Sequence, residues 1–226
     1  MKIILSPSKT QAIPVSSRRE IELPILDLEA TLSLFHRLKR MSKKRLALTM
    51  DLEGKLLEKT YRLYQDFDSK TSLTLPAIEL YTGLVFDQLD LKSYDADQRD
   101  YLNDHLRILS AMYGLVHPQN QIWPYRLDFT MTLPKPSLKI IWSKRIRSAL
   151  ETEDWIIDLS SQEFGSLLSG LSSKIHQVIF LERIAGQERI ISANAKKARG
   201  KMAHFLIRNR ITDLDGLRRF HEDGYV

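Results

Sequence analysis

The apolar run from Leu106 to Tyr113 meets Gly114 and is stopped by His117-Pro118. Glycine takes positive φ freely, and proline biases the residue before it toward extended geometry, so the run reads as a buried element ending in a sharp turn. Beyond the turn, Trp123-Pro124-Tyr125-Arg126 places two aromatics and a guanidinium within four residues. Irregular segments of this kind carry binding groups once a rigid core holds them. The alternative is that Trp123 and Tyr125 only cover the end of the core, as large aromatics often do.

A chain of 226 residues, 43% apolar and 27% charged, is long enough to bury a substantial core and should fold throughout. The absence of cysteine excludes disulfides, thiolate nucleophiles and zinc-thiolate sites. Met1 to Leu5 is too short an apolar stretch for a signal peptide or a membrane span, so a cytoplasmic location with no membrane partner is expected. The net charge of +6 is concentrated: residues 195 to 219 hold eight Lys or Arg against Asp213 and Asp215, an excess equal to that of the whole chain. Such a stripe points to phosphate partners, and the acidic stretch from Asp87 to Asp104 would make the molecule dipolar.

In chain order, Lys2 to Leu5 reads as a buried strand followed by the polar loop Ser6-Pro-Ser-Lys-Thr10, and Pro14 to Pro24 reads as a wandering connection. Helical spacing places Leu28, Leu32, Phe35 and Leu38 on one helix, with Ser42 capping a successor and a longer helix from Leu52 to about Phe67. A second short strand is expected from Pro76 to Leu80, then an Asp-rich helix leading into a strand over Leu106 to Ser110. Trp155 to Leu159 is a strand, and Ser160 with Glu163 fits a capping box for the next helix. Ala185-Gly186-Gln187 signals a hairpin, and a basic helix runs from Ala195 to about Arg210. No repeat or linker divides the chain, so residues 1–226 are expected to form a single compact α/β domain, a mixed sheet flanked by helices. Ligands bind open α/β sheets at the carboxyl ends of strands, which makes loops 6–10, 81–83 and 158–163 the candidate rim of a site.

Small hydroxyls and one lysine after a strand suit an anion, so Ser6, Lys9 and Thr10 are candidate phosphate contacts. Asp158 sits inside an apolar run, where a lone buried carboxylate is costly unless paired. The six histidines show no His-x-x-x-His or carboxylate-paired helical spacing, so no metal ligand set and no cofactor is expected.

Ser6-Pro-Ser-Lys-Thr10, Tyr81-Thr-Gly-Leu84, Leu109-Ser-Ala-Met-Tyr-Gly-Leu115 with Pro124-Tyr-Arg-Leu127, and Ala195-Lys-Lys-Ala-Arg-Gly200 through Asn209-Arg210 occur in this order. Together they resemble the bacterial YaaA family of peroxide stress proteins, over nearly the whole chain. The resemblance implies a compact α/β fold with a positively charged cleft, a helix-hairpin-helix-like DNA-binding element, and peroxide protection linked to lower free intracellular iron. The Tyr113 to Pro118 turn is where that element would fall, in conflict with the strand reading of Leu106 to Ser110.

Two functions follow as expectations. In the first, the protein binds double-stranded or damaged DNA: Lys9, Lys196, Lys197, Arg199 and Lys201 neutralise phosphates, Trp123 and Tyr125 stack on an exposed base, and Arg126 reads its edge or a phosphate. In the second, an enzyme acts on a nucleobase or nucleotide. Asp158 or Glu163 then serves as general base or stabilises an oxocarbenium-like centre, and Ser6, Lys9, Tyr81, Tyr113 and Arg126 position the ligand. Tyr113 stands with the two carboxylates as a catalytic candidate, and Glu163 alternatively is only a helix cap. Direct iron ligation is disfavoured by the histidine spacing.

Overall fold

Runs without alternation, such as Ile3-Ile4-Leu5, hide both their faces only inside a sheet covered by helices. They do so in the computed structural model, which describes residues 1–15, 24–171 and 174–225. Strand β1 (Lys2–Leu5) is followed by helices α1 (Leu28–Lys39), α2 (Lys43–Met50) and α3 (Gly54–Gln65), strand β2 (Leu75–Pro76) and the single turn α4 (Ala77–Leu80). Helix α5 (Ala96–His105) runs directly into β3 (Leu106–Ser110), followed by β4 (Gly114–Val116), β5 (Gln121–Ile122), α6 (Leu138–Leu150) and β6 (Trp155–Asp158). Then come α7 (Gln162–Gly165), β7 (Lys174–Gln177), β8 (Glu182–Ile184), β9 (Gln187–Arg189), α8 (Ser192–Arg208) and α9 (Leu214–Leu217). Most of the connection read between Pro14 and Pro24 lies outside the described residues.

Five strands form one sheet in the order β4-β3-β1-β6-β7. Strand β1 is parallel to β3 and β6, β6 is parallel to β7, and β4 returns antiparallel to β3. The result is a mixed sheet flanked by helices in a single compact α/β domain with one continuous apolar core, as the sequence led us to expect. From β1 the chain builds β3 on one side and later β6 on the other, so the strand order reverses beside β1. A crevice at such a reversal is the usual ligand site of an open α/β sheet.

Helix starts follow local chemistry. Asp27 accepts from the Ala30 amide at 2.8 Å, Ser42 accepts from the Arg45 amide at the start of α2, and Asp95 with Gln98 forms a capping box on α5. The inward face of α1 is Thr31, Leu34, Phe35 and Leu38 rather than the expected set, because Leu28 at the first position remains exposed. The expected strand at Pro76 to Leu80 ends after two residues, which pair with β5, and Ala77–Leu80 coils into α4. Proline at 76 offers no N–H to continue a ladder.

The turn after β3 is built on Ser110, whose Oγ accepts from the amides of Met112 and Tyr113, both at 3.2 Å. Gly114 has φ of +77°, and a Cβ there would stand 2.5 Å from Trp142 Cε3 and 2.9 Å from Leu26 Cδ2, so only glycine fits both the backbone and the packing. Residues 114 to 116 are strand β4. The strand reading of Leu106 to Ser110 therefore holds, and the helix-hairpin-helix placement at Tyr113 to Pro118 is corrected: strands, not helices, flank this turn. The acidic and basic segments also lie together rather than at opposite poles, since Arg210 pairs with Asp97 at 2.9 Å and Gln98 donates to the Arg208 carbonyl.

Candidate functional site

The three loops read as a rim converge. A cleft of about 550 Å³ at the carboxyl ends of β1 and β6 is lined by residues 5–10, 83–87, 159, 161, 163 and 164, with Lys196 and Arg199 from α8. The β1 and β6 loops are stitched together by the Ser161 amide, which donates to Ser6 Oγ at 2.8 Å. Helix α8 reaches the cleft because Gly200 lets it lie almost on the Val85 carbonyl: a Cβ at that position would be 2.2 Å from the oxygen. Lys196 and Arg199, one turn apart, thus share the face that meets the rim.

Electrostatically the cleft is mixed. Lys9 Nζ is 2.7 Å from Asp128 Oδ2, and Thr130 Oγ1 donates to the same carboxylate. Burial works to raise the Asp128 carboxyl, but Lys9 and Thr130 hold it below its ordinary value. Glu163 goes the other way: burial, then the neighbouring charge of Asp128, pushes it above the usual range, against the Phe129 amide that donates to Oε1 at 3.0 Å. That contact also corrects the capping-box reading. Helix α7 starts after Ser161 without a side-chain cap, and the Glu163 carboxylate crosses to residue 129 instead of turning back on its own helix.

Several expected site residues lie elsewhere. Trp123 and Tyr125 are each 4% exposed and Tyr113 is fully buried, so base stacking on the first two and catalysis by the third are corrected. The rings are tied inward: Trp123 Nε1 donates to the Ser72 carbonyl, Tyr113 OH donates to the Trp123 carbonyl at 2.9 Å, and Tyr125 OH lies 2.8 Å from both Ser110 Oγ and Tyr81 OH. Burial pushes the Tyr125 hydroxyl up to about 12 and Tyr113 and Tyr81 well above their usual value, as expected of core phenols. Their contribution to the cleft is support, since the Tyr125 amide donates to Gln11 Oε1 just past the Ser6 to Thr10 loop. Arg126 is half-buried beneath that loop, with its Nε lacking a hydrogen-bond partner.

Asp158 is 3% exposed and does not line the cleft; it accepts from the Ser160 amide at 2.8 Å and faces the charge of Arg199. Burial raises its carboxyl above the ordinary value despite those contacts. Buried and absent from the cleft lining, it is not placed to touch a ligand there, which corrects the direct catalytic role read for it. The basic stripe also divides. Lys196 and Arg199 line the cleft, Lys197 lines a separate cavity with Arg183 and Tyr225, and Lys201 is bound to Asp223 at 2.6 Å. Thr10, whose amide donates to Ser8 Oγ at 3.1 Å, stays on the rim with Ser6 and Lys9.

Asp128 and Gly200 were missed by sequence reasoning. The argument applied to Asp158, a carboxylate inside an apolar run, applies equally to Asp128 in Leu127-Asp-Phe-Thr-Met131 and would have found it. Gly200 in the middle of a basic helix was a visible exception to helix propensity.

Fold and cleft together define an open α/β protein with a cleft where the strand order reverses. The chain belongs to the family described as peroxide stress protein YaaA, whose pattern matches residues 1–226. Similar proteins include a UPF0246 protein of Legionella pneumophila strain Corby, 33% identical over 242 residues that cover 100% of this chain and 93% of that protein. A UPF0246 protein of Finegoldia magna is 34% identical, covering 100% and 91%, and one of Fusobacterium nucleatum is 31% identical, covering 100% and 92%. Among the described residues no helix is long and apolar enough to cross a membrane.

Proposed function

We propose that this chain acts in the bacterial response to hydrogen peroxide by binding DNA phosphates at the cleft, which limits DNA damage and lowers free intracellular iron. The observation that carries the reading is Arg199. Its side chain lines the cleft beside Lys196 and the Ser6 to Thr10 loop, so two cations from one face of α8 meet a loop of small hydroxyls. A phosphate is the partner that guanidinium geometry suits best. The charge of Asp158 favours the protonated guanidinium, against burial, which works to lower its pKa. The effect on iron is proposed as indirect: among the described residues no three His, Asp or Glu stand together in a way that could hold a metal.

Hydrogen exchange with and without a short duplex DNA tests this. Protection is expected in residues 6–10, 83–88 and 192–200, the backbone around the cleft, on adding DNA. Protection confined to other segments, or none at a DNA concentration that saturates binding, contradicts the reading.

One observation favours a second reading, an enzyme acting on a nucleobase or nucleotide. Glu163 is not used as a cap, lines the cleft and retains its proton above the ordinary carboxyl range. In its acid form it would protonate a departing base while water adds to the anomeric carbon and returns a proton to the carboxylate, the net reaction being hydrolysis. Chromatography after incubation with nucleotides measures it: released base that disappears in Glu163→Gln supports turnover, and no release leaves binding alone.

A further inference from the structure

The cleft is not a groove along which a duplex lies. Its volume of about 550 Å³ is recessed between three loops and a helix, a size typical of small-molecule sites and too confined for the body of a double helix. Its walls differ in chemistry. Lys196 and Arg199 supply cations, Lys9 being paired with Asp128, while Leu84, Val85 and Phe164 supply an apolar surface facing the same space, with Glu163 among them. Leu84 remains 39% exposed, a large apolar side chain left at the mouth of a charged cleft. A bare phosphate would use the cations and leave the apolar wall wet. A neutral nucleoside would use the apolar wall and leave Arg199 unpaired.

We infer that the cleft accommodates one nucleotide unit at a time: a terminal phosphate at Lys196 and Arg199, with its attached ring against Leu84, Val85 and Phe164 and a polar edge of the base toward Glu163. This rests on the DNA-binding reading and names the part of the nucleic acid that enters. The shared chemistry, a phosphate monoester carrying a nucleoside, is presented by a free mononucleotide or by the 5′-phosphorylated end of a strand. The Ser6 to Thr10 loop separates the cleft from a smaller cavity that holds Arg126, and Lys9 and Phe164 line both. Phe164 is positioned by an edge-on contact with Phe129, 5.3 Å between ring centres, and Phe129 is also the residue whose amide holds Glu163. The apolar wall and the acidic group are therefore built by the same pair of segments.

Calorimetric titration tests the inference, with each of the four 2′-deoxynucleoside monophosphates, the matching deoxynucleosides, inorganic phosphate, and single-stranded oligonucleotides with and without a 5′-phosphate. At least one monophosphate or the 5′-phosphorylated strand is expected to bind about tenfold more tightly than the nucleoside, inorganic phosphate or the 5′-hydroxyl strand. Tight binding of the monophosphate assigns a free nucleotide, tight binding of the phosphorylated strand alone assigns a strand end, and both support the pocket. Arg199→Gln is expected to weaken that ligand by about tenfold, and Lys196→Ala, at an exposed position, repeats the test with little risk to folding. Inorganic phosphate matching the best nucleotide, or nucleosides matching it, overturns the inference. Duplex binding that persists while no nucleotide or strand end competes overturns the pocket's ligand but leaves DNA binding. Nucleotide binding without any DNA binding does the reverse.

Discussion

Gly200→Ala is expected to destabilise the protein and to open the cleft, although it replaces the poorest ordinary helix former with the best one. Intrinsic propensity alone would favour alanine in the interior of α8 by about 1 kcal/mol. Against that, the new methyl would lie 2.2 Å from the Val85 carbonyl oxygen and 2.9 Å from Gln88 Cβ. The first contact is with backbone, which a rotamer change cannot relieve, so α8 or the turn at residues 85–88 must retreat by about 1 Å to reach ordinary contact. Overpacking of this kind costs about 1–3 kcal/mol, more than the propensity gain, and several buried groups on the same helix, Ala198, Met202 and Ala203, move with it. The expected result is a denaturation midpoint lowered by the equivalent of up to about 2 kcal/mol once the propensity gain is set against the overpacking cost, together with weaker ligand binding because Lys196 and Arg199 leave the rim. A raised midpoint with ligand binding unchanged would show that the helix does not press on that carbonyl.

Much of the fold was legible because burial on both faces leaves a clear signature. Ile3-Ile4-Leu5, Leu106 to Ser110 and Trp155 to Asp158 are short apolar runs bounded by turns, and all three became neighbouring parallel strands. The cap at Ser42 was readable since a hydroxyl before an apolar period has few other local uses. Pro76 to Leu80 failed for the opposite reason: so short a stretch, five residues with Glu79 among them, fits a strand or a helical turn equally well, and the tertiary context decided. The turn at Tyr113 to Pro118 shows a resemblance and a periodicity pulling apart, with the pattern of Leu106 to Ser110 giving the better local answer.

At the site, loop positions were legible and side-chain directions were not. Polar loops at the ends of β1 and β6 place Ser6 to Thr10 and the Ser160 region at one edge of the sheet, and the segment after Tyr81, which follows α4 rather than a strand, meets them there. Trp123-Pro-Tyr-Arg126 has no period, so nothing in the sequence tells whether its aromatics face water or the core. They face the core, where Trp123 packs edge-on to Phe35 and Phe67. The lysines and arginines of α8 were read as one stripe because composition counts charges without their azimuth. Position 200 as glycine fixes which side of the helix lies against the rim, so 196 and 199 turn inward while 197 and 201 do not.

That division leads to the largest expected effect on binding. Replacing Lys196 by Ala together with Arg199 by Gln removes two cations from the cleft, whereas Lys197→Ala with Lys201→Ala removes two from the outer face and leaves net charge the same as in the first pair. A model in which DNA is held by diffuse positive charge makes the two pairs equivalent; a cleft makes them different. Lys196 and Arg199 share one phosphate, and each lost phosphate contact reduces the dependence of log affinity on log salt by about 0.9 on duplex DNA, so the cleft pair should flatten the slope by about 0.9 units and weaken binding by about 10- to 100-fold. The outer pair should leave the slope within about 0.5 units of the parent, since Lys201 is already committed to Asp223. The decisive measurement is therefore the affinity for one duplex across a salt series with the parent protein and both double variants. A slope that falls for the cleft pair and holds for the outer pair is the expected result, and equal slopes in all three proteins, or a fall only for the outer pair, would contradict phosphate binding at the cleft.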